Sequence, residues 1–334
     1  MRLLAGVVAS CSFATALTGD ASLSARPMER VAEPLRAMGA RVKTSGGHAP
    51  IHITGGPLTG IRYSTPVPTA QVKSAVLLAG IAAEGETTFI EPARTRDHTE
   101  RALAALGAPV TLSDRGVTVS RFQHAGFAGD LPGDPSSAAF LIAAAALTGG
   151  EIEISGVGLN PTRLRFLAIL ERMGVRSEIA VDREVLGEPV GTIRADAPSG
   201  LIATIVGADE LPLVVDEVPV LAMTAVHARG ESRFEGAAEL RVKESDRLRA
   251  LAEGIRSLGG EAADEGDDLV VAGPGLSGGT AEAGGDHRLA MAFAVASLAA
   301  SAPCEIGGLD SAEVSFPGFV RTLLALGAVV DPVT

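Results

Sequence analysis

The sequence predicts an α/β (α+β) chain of two domains, each assembled from copies of one unit of strands and helices. Three observations lead there. A Leu-Gly or Met-Gly pair recurs at Met38-Gly39, Leu106-Gly107, Met173-Gly174, Leu258-Gly259 and Leu326-Gly327, with the glycines 68, 67, 85 and 68 residues apart. Between successive pairs lies a stretch apolar on every side, which fits only a helix in the middle of a domain. The length of 334 residues also exceeds what one hydrophobic core normally organises.

Each recurring glycine follows an amphipathic pattern and precedes a strand pattern, where a helix needs a left-handed residue to end it. Val31, Leu35 and Met38 recur at helical spacing in the first copy, Leu103 and Leu106 in the second, and Leu164, Leu167, Leu170 and Met173 in the third. Short strands are expected after them, as at 41–43 and 109–112. The all-apolar helices are expected at 72–81, 138–147, 218–227 and 289–298, each leading into a strand at 86–90, 151–154, 231–234 and 304–306. The unit is therefore buried helix, strand, loop, amphipathic helix, strands.

Residues 1–18 could be taken for an export signal, with Arg2 ahead of an apolar stretch and a lipoprotein-like Val8-Ala9-Ser10-Cys11. The stretch is too short and broken to span a bilayer. Its place in the repeat explains it better, as the buried helix of the first copy. With no strand before that helix, the first copy reads as cut short.

Composition narrows the class. Apolar residues make up 46%, which argues against disorder. Lys and Arg number 28 against 40 Asp and Glu, a net charge of −12 that argues against non-specific nucleic-acid binding. A local basic cleft for a small anion remains compatible with it. Cys11 and Cys304 have no metal spacing and read as small buried hydrophobes.

Polar clusters recur at the front of the buried helices. Pro27 is expected in the first turn of its helix, which sets Arg26 at an N-terminus that favours anions. Thr69 and Gln71 open the next buried helix, where they either cap it or bind a substrate oxygen. In Thr95-Arg96-Asp97-His98, Thr95 or Asp97 can cap a helix, Arg96 is an anion candidate, and His98 is first of all a structural hydrogen-bonder. Gly133-Asp134-Pro135-Ser136 is explained by capping. Asp216-Glu217 sits against an apolar helix, costly unless paired or functional, so Asp216 is a candidate general base. Lys243 and Arg247, four apart, are expected on one helix face with Glu244 beside them. Arg288 follows Asp286-His287 ahead of the last buried helix. If these helix N-termini converge, their dipoles and cations form one anion-binding cleft.

The motifs GDASLSARPM (19–28), AQVKSAVLLAG (70–80), TRDHTE (95–100), GDPSSAAF (133–140), DE (216–217), LRVKESDR (240–247), DHRLAM (286–291) and SFPGF (315–319) cover the chain in order. In them the sequence resembles the EPSP synthase family of enolpyruvyl transferases. The resemblance implies a two-domain inverse α/β barrel-like fold of six βαβαββ units. It also implies that the first unit and part of the second, about 100 residues with a Lys-Ser-x-Ser-x-Arg segment, are missing from this sequence. It implies residues 1–130 as the rest of the shikimate 3-phosphate domain and 131–334 as the phosphoenolpyruvate domain. It further implies that shikimate 3-phosphate contacts Thr69, Gln71, Arg96 and Asp216, and that phosphoenolpyruvate contacts Arg26, Lys243, Arg247 and Arg288. Asp216 would act as base and Glu244 as proton donor. Thr69 stands where the family usually has Ser. No metal or organic cofactor, nucleic acid or membrane is implied; a cytoplasmic monomer is. The alternatives are an impaired fragment of that enzyme and a transferase acting on UDP-N-acetylglucosamine, which would need a reactive Cys ahead of the cleft.

Overall fold

The structure, a computed structural model, describes residues 1–197 and 200–331. It divides into two compact units, Met1–Asp130 with Glu184–Glu188, and Leu131–Arg183 with Pro189–Thr334.

In the first unit the chain runs α1 (Arg2–Val8), β1 (Ala14–Leu17), α2 (Ala21–Ala25), α3 (Glu29–Ala37), β2 (Arg41–Ser45) and β3 (His48–Thr54). It continues through β4 (Arg62–Ser64), α4 (Ala70–Gly80), β5 (Glu86–Ile90), α5 (His98–Ala105), β6 (Val110–Leu112) and β7 (Gly116–Ser120). The second unit holds α6 (Pro135–Thr148), β8 (Glu151–Gly158), α7 (Arg165–Arg172), β9 (Arg176–Val185) and β10 (Glu188–Asp196), the last two joined by a turn counted with the first unit. Then come β11 (Ile205–Val206), α8 (Val218–Ala225), β12 (Glu231–Phe234), α9 (Arg247–Ser257), β13 (Glu261–Glu265) and β14 (Asp268–Ala272). The described chain ends with β15 (Gly279–Glu282), α10 (His287–Ser297), β16 (Cys304–Gly307) and α11 (Phe319–Ala325).

The repeat is plain in the pairing. The sheets β4-β5-β7-β6 and β11-β12-β14-β13 have the same order, with one parallel pair on either side of a buried helix and antiparallel pairs beyond. Each is a full βαβαββ copy. Ahead of α6 the first strand shrinks to a single bridge, Gly133 with Val157, and the sheet is β8-β10-β9. Residues 2–54 give the three-stranded sheet β1-β3-β2, and the last described copy gives the parallel pair β15-β16.

All five recurring glycines are left-handed, with φ of +108°, +90°, +101°, +76° and +99° at Gly39, Gly107, Gly174, Gly259 and Gly327. Each donates to the carbonyl three residues back, and the next residue donates five back: Ala40 to Leu35, Ala108 to Leu103, Val175 to Leu170, Gly260 to Ile255 and Ala328 to Leu323, at 2.9–3.0 Å. This double reverse bond satisfies the last carbonyls of the helix and swings the chain into the following strand.

The all-apolar helices are buried as expected. Every residue of α8 is buried, and α6, α8 and α10 pack on one another as the core of the second unit, with Phe140, Phe293 and Phe319 fully enclosed. In the first unit α4 fills that position.

Residues 1–18 depart from the expected buried helix. The helix stops at Val8, and the rest makes a turn and then β1, paired antiparallel with β3. Only one face of α1 is covered: Ala5, Gly6 and Ala9 are buried, while Leu3, Leu4 and Val7 are 42%, 56% and 44% exposed. Gly55 lies under the helix end, where an added Cβ would come 2.5 Å from the carbonyl oxygens of Val8, Ala9 and Cys11, so the lack of a side chain lets the turn after α1 pack this closely. Cys11 therefore sits in a turn, and both cysteines are half-buried rather than buried. Pro27 also differs from expectation, lying before Met28, the N-cap of α3. Arg26 accordingly ends α2 instead of opening a helix. No described helix is long and apolar enough to cross a membrane.

Backbone meets backbone where α1 crosses α4, since a Cβ on Gly6 would lie 2.1 Å from the Ala75 carbonyl oxygen. Gly6→Ala forces the two helices apart and is expected to lower stability by about 1–3 kcal/mol. A denaturant midpoint equal to that of the unaltered chain would contradict the close crossing.

Candidate active site

In the second unit the site is organised around one buried ion pair. Asp286, the N-cap of α10, is fully enclosed, and its Oδ1 accepts from the Arg288 backbone N–H at 3.0 Å. The same carboxylate accepts from Arg247, the first residue of α9: Nε to Oδ2 at 2.7 Å and Nη2 to Oδ1 at 3.2 Å. Ser245 adds a hydroxyl donor at 3.1 Å. Arg247 is 1% exposed, so its guanidinium has no water to fall back on and its carboxylate partners fix its orientation.

That guanidinium gathers the candidate chemical groups. Arg247 Nη2 donates to Glu244 Oε2 at 2.6 Å, and Nη1 lies 4.0 Å from Asp216 Oδ1. Arg288 closes the other side, donating from Nη1 to the Asp216 carbonyl at 2.9 Å with Nη2 3.9 Å from Asp216 Oδ2. Asp216, Glu244, Arg247 and Arg288 are thus brought together as two carboxylates and two cations. Lys243 stands next to Glu244 in sequence, is half-buried, and makes no hydrogen bond or ion pair with a described residue.

The expected helix face of Lys243 and Arg247 does not form. A 3-10 turn, Ala237–Val242, ends just before Lys243, and α9 begins at Arg247, so the two residues bracket a loop. The loop is tethered at both ends. Arg241 reaches Asp246 at 3.1 Å, Asp267 at 3.6 Å and Asp264 at 3.8 Å, while Asp246 caps α9 by accepting from the Arg249 N–H. Five charged or polar residues in a row read as a solvated helix turn, but pairing with Asp286 pulls the fifth one inside.

Next to Asp216 the chain turns Glu217 inward. Its carboxylate is 2% exposed, accepts a short hydrogen bond from the Ser136 hydroxyl, and has Arg163 Nη2 at 3.9 Å. Arg163 Nη2 also donates to Ser136 Oγ at 2.7 Å and to Asp134 Oδ1 at 2.8 Å. Asp134 meanwhile caps α6 through the Ser136 N–H, as expected. Glu217 occupies the N-cap of α8 without a side-chain cap bond, so capping does not explain the acidic pair.

In the first unit Arg2, Arg26 and Gln71 line a cleft of about 110 Å³. Arg2 donates to Gln71 Oε1 at 2.7 Å and to the Pro27 carbonyl at 3.1 Å. Burial, with Arg26 and Arg30 nearby, depresses the Arg2 pKa, the signature of a spot that favours an anion. Thr69 is the N-cap residue of α4 but its side chain makes no cap bond. Asp97 is the N-cap of α5, again without a side-chain cap, and its carboxylate instead accepts from Arg101 Nε at 2.9 Å. Arg96 lies in the loop between β5 and α5. His98 is a hydrogen-bonder, its Nδ1 2.7 Å from Glu188 Oε1 within the same unit.

Sequence reasoning gave no site role to Arg2, Asp286, Glu217, Ser136 or Arg163. Asp286, Glu217 and Ser136 carried a signal, since each lies within a motif already singled out. Arg163 carried none, because only the fold brings it to Ser136.

Burial alone would raise the Asp286 pKa, but hydrogen bonds from Arg247, the Arg288 N–H and Ser245 outweigh it and hold the group below its ordinary 3.8. The folded chain thus holds this proton more weakly than the unfolded chain. The stabilisation is complete above the ordinary value and is lost as pH falls through the lower folded one. Asp286→Asn is expected to cost about 3–5 kcal/mol at pH 7, because it leaves Arg247 buried without its main partner. It should also flatten the acid limb below about pH 4. Denaturant unfolding across pH 3–7 measures both, and an unchanged acid limb would remove Asp286 from the account.

A family model described as EPSP synthase (3-phosphoshikimate 1-carboxyvinyltransferase) matches residues 1–323. A 3-phosphoshikimate 1-carboxyvinyltransferase from Halorhodospira halophila is 49% identical over 99% of this chain and 76% of its own length. One from Thermus thermophilus is 50% identical over 98% of this chain and 77% of its own. Among solved structures, an EPSP synthase from Acinetobacter baumannii superposes with a TM-score of 0.88 and 41% identity, covering 99% of this chain and 77% of that one. The chain thus spans about three quarters of the length of these relatives.

Proposed function

The chain belongs to the EPSP synthase family, and we propose that it transfers the enolpyruvyl group of phosphoenolpyruvate to the 5-hydroxyl of shikimate 3-phosphate, releasing phosphate. The observation that carries this reading is the gathering of Asp216 and Glu244 about the buried Arg247 guanidinium, with Arg288 beside them. Two carboxylates held on cations suit a reaction that moves a proton at each of two places.

In the proposed sequence Asp216 accepts the 5-hydroxyl proton as that oxygen attacks C2 of phosphoenolpyruvate, and Glu244 gives a proton to C3. The adduct then returns a C3 proton to the Glu244 carboxylate as its C2–O bond to phosphate breaks, so that phosphate departs and the enol ether remains. Arg288, Lys243 and Arg247 Nη1 serve the carboxylate and phosphate of phosphoenolpyruvate, together with Arg26. Thr69, Gln71 and Arg96 serve shikimate 3-phosphate, and Arg2 joins Gln71. Cationic side chains of this kind position two anions and offset their mutual repulsion. Residues 1–130 are read as the shikimate 3-phosphate side and the rest of the chain as the phosphoenolpyruvate side.

Transfer to UDP-N-acetylglucosamine is the less supported reading. It would call for a reactive thiol, whereas Cys11 lies in the turn after α1 and Cys304 opens β16.

Phosphate release from the two substrates tests the proposal. Asp216→Asn and Glu244→Gln are each expected to lower kcat by about a hundredfold to ten-thousandfold. Equal turnover by either variant would remove that residue from its role. No turnover by a folded, unaltered chain would overturn activity for this stretch of sequence and leave its family membership untouched.

A further inference from the structure

Lys73 lies on α4 two residues after Gln71 and is 2% exposed. A lysine does not enter a protein interior alone, and here its ammonium meets two carboxylates that are themselves buried. Nζ is 3.0 Å from Glu91 Oε1 and 2.7 Å from Glu100 Oε1, and it is 3.5 Å from the Thr95 carbonyl. Glu91 directly follows β5 and Glu100 lies in the first turn of α5, so the three groups tie together both ends of the loop between those elements. Glu91 reaches further into that loop. Its Oε1 accepts from the Thr95 N–H at 3.2 Å and its Oε2 from the Thr95 hydroxyl at 2.6 Å. The residue after Thr95 is Arg96.

We infer that Lys73 is a positioning residue: through Glu91 it fixes Thr95, and so holds Arg96 at a set place relative to Gln71 for shikimate 3-phosphate. The inference rests on the proposed reaction for its substrate and on the geometry of this loop for everything else. The alternative meaning of a buried Lys–Glu pair is stability alone, and two facts speak against it here. The triad is unbalanced, one ammonium against two carboxyls, and Glu100 Oε2 is buried with no hydrogen-bond partner. Burial pushes the Glu100 carboxyl up despite Lys73. An arrangement serving only stability would gain by replacing these groups with hydrocarbon. What the ions provide instead is direction: Glu91 reaches on to the N–H and hydroxyl of Thr95, the residue before Arg96, while Glu100 anchors the start of α5.

The test uses Lys73→Met, close in size and apolar, and Thr95→Val, which removes one hydroxyl bond and leaves no unpaired buried charge. Amide hydrogen exchange of residues 92–97 is measured beside kinetics in both substrates. In Lys73→Met the loop is expected to exchange faster, with the KM for shikimate 3-phosphate raised about tenfold to a hundredfold and the KM for phosphoenolpyruvate moved little. Thr95→Val should move the same quantities in the same direction by less, and it decides the matter if Lys73→Met does not fold. Exchange unchanged in the loop overturns the proposal. So does a lowered Tm with KM for shikimate 3-phosphate unmoved, the pattern of a purely structural residue. If the unaltered chain turns over no shikimate 3-phosphate, the proposed reaction fails. The substrate part of this inference fails with it, and the exchange measurement alone then reports whether Lys73 holds the loop.

Discussion

The buried pair of Arg247 and Asp286 is the constraint on which the second unit's chemistry depends. Two ions with almost no exposure are tolerable only when nearly all their hydrogen-bonding capacity is met. Meeting it ties the N-terminus of α9 to that of α10, draws Ser245 inward, and leaves Arg247 two directions in which to offer charge, towards Glu244 and towards Asp216. The candidate acid and base are therefore held by a group that cannot itself rotate away. Burying the pair costs stability relative to hydrocarbon; what it provides is a guanidinium held in one orientation beside Glu244 and Asp216.

A second constraint is the repeat. A helix apolar on all sides can be satisfied only from all sides, so neighbouring copies must pack around it. Polar residues are then confined to its ends. At the C-terminal end the chain runs into small residues and turns, and none of the candidate site residues lies there. At the N-terminal end, exposed N–H groups and the start of each turn collect Thr69, Asp134, Glu217 and Asp286. Every candidate residue in α4, α8 and α10 follows from that one rule.

What was legible in the sequence was whatever a backbone rule or a long apolar run dictates. The five glycines, four buried helices and the strand at Glu86–Ile90 fall in this class. Residues 1–18 were misread because an apolar run fits either a helix or a strand, and the partner that makes 14–17 a strand, β3, lies more than thirty residues on. Lys243 and Arg247 were misread because spacing says nothing about burial, and the partner that pulls Arg247 inside lies 39 residues on. The inward turn of Glu217 likewise depends on Ser136, 81 residues earlier. Local pattern locates the loops that matter; which member of each faces inward is decided by contacts distant in sequence.

The identical ending of all five amphipathic helices has one more consequence. Because each junction is closed by the same pair of backbone bonds, its geometry asks little of the side chains around the glycine. The copies can drift apart in sequence while keeping the same shape, and one copy can take up new chemistry without disturbing its neighbours. Information for architecture and information for reactivity are thus written at opposite ends of each unit, an arrangement in which innovation and integrity rarely compete for the same codon.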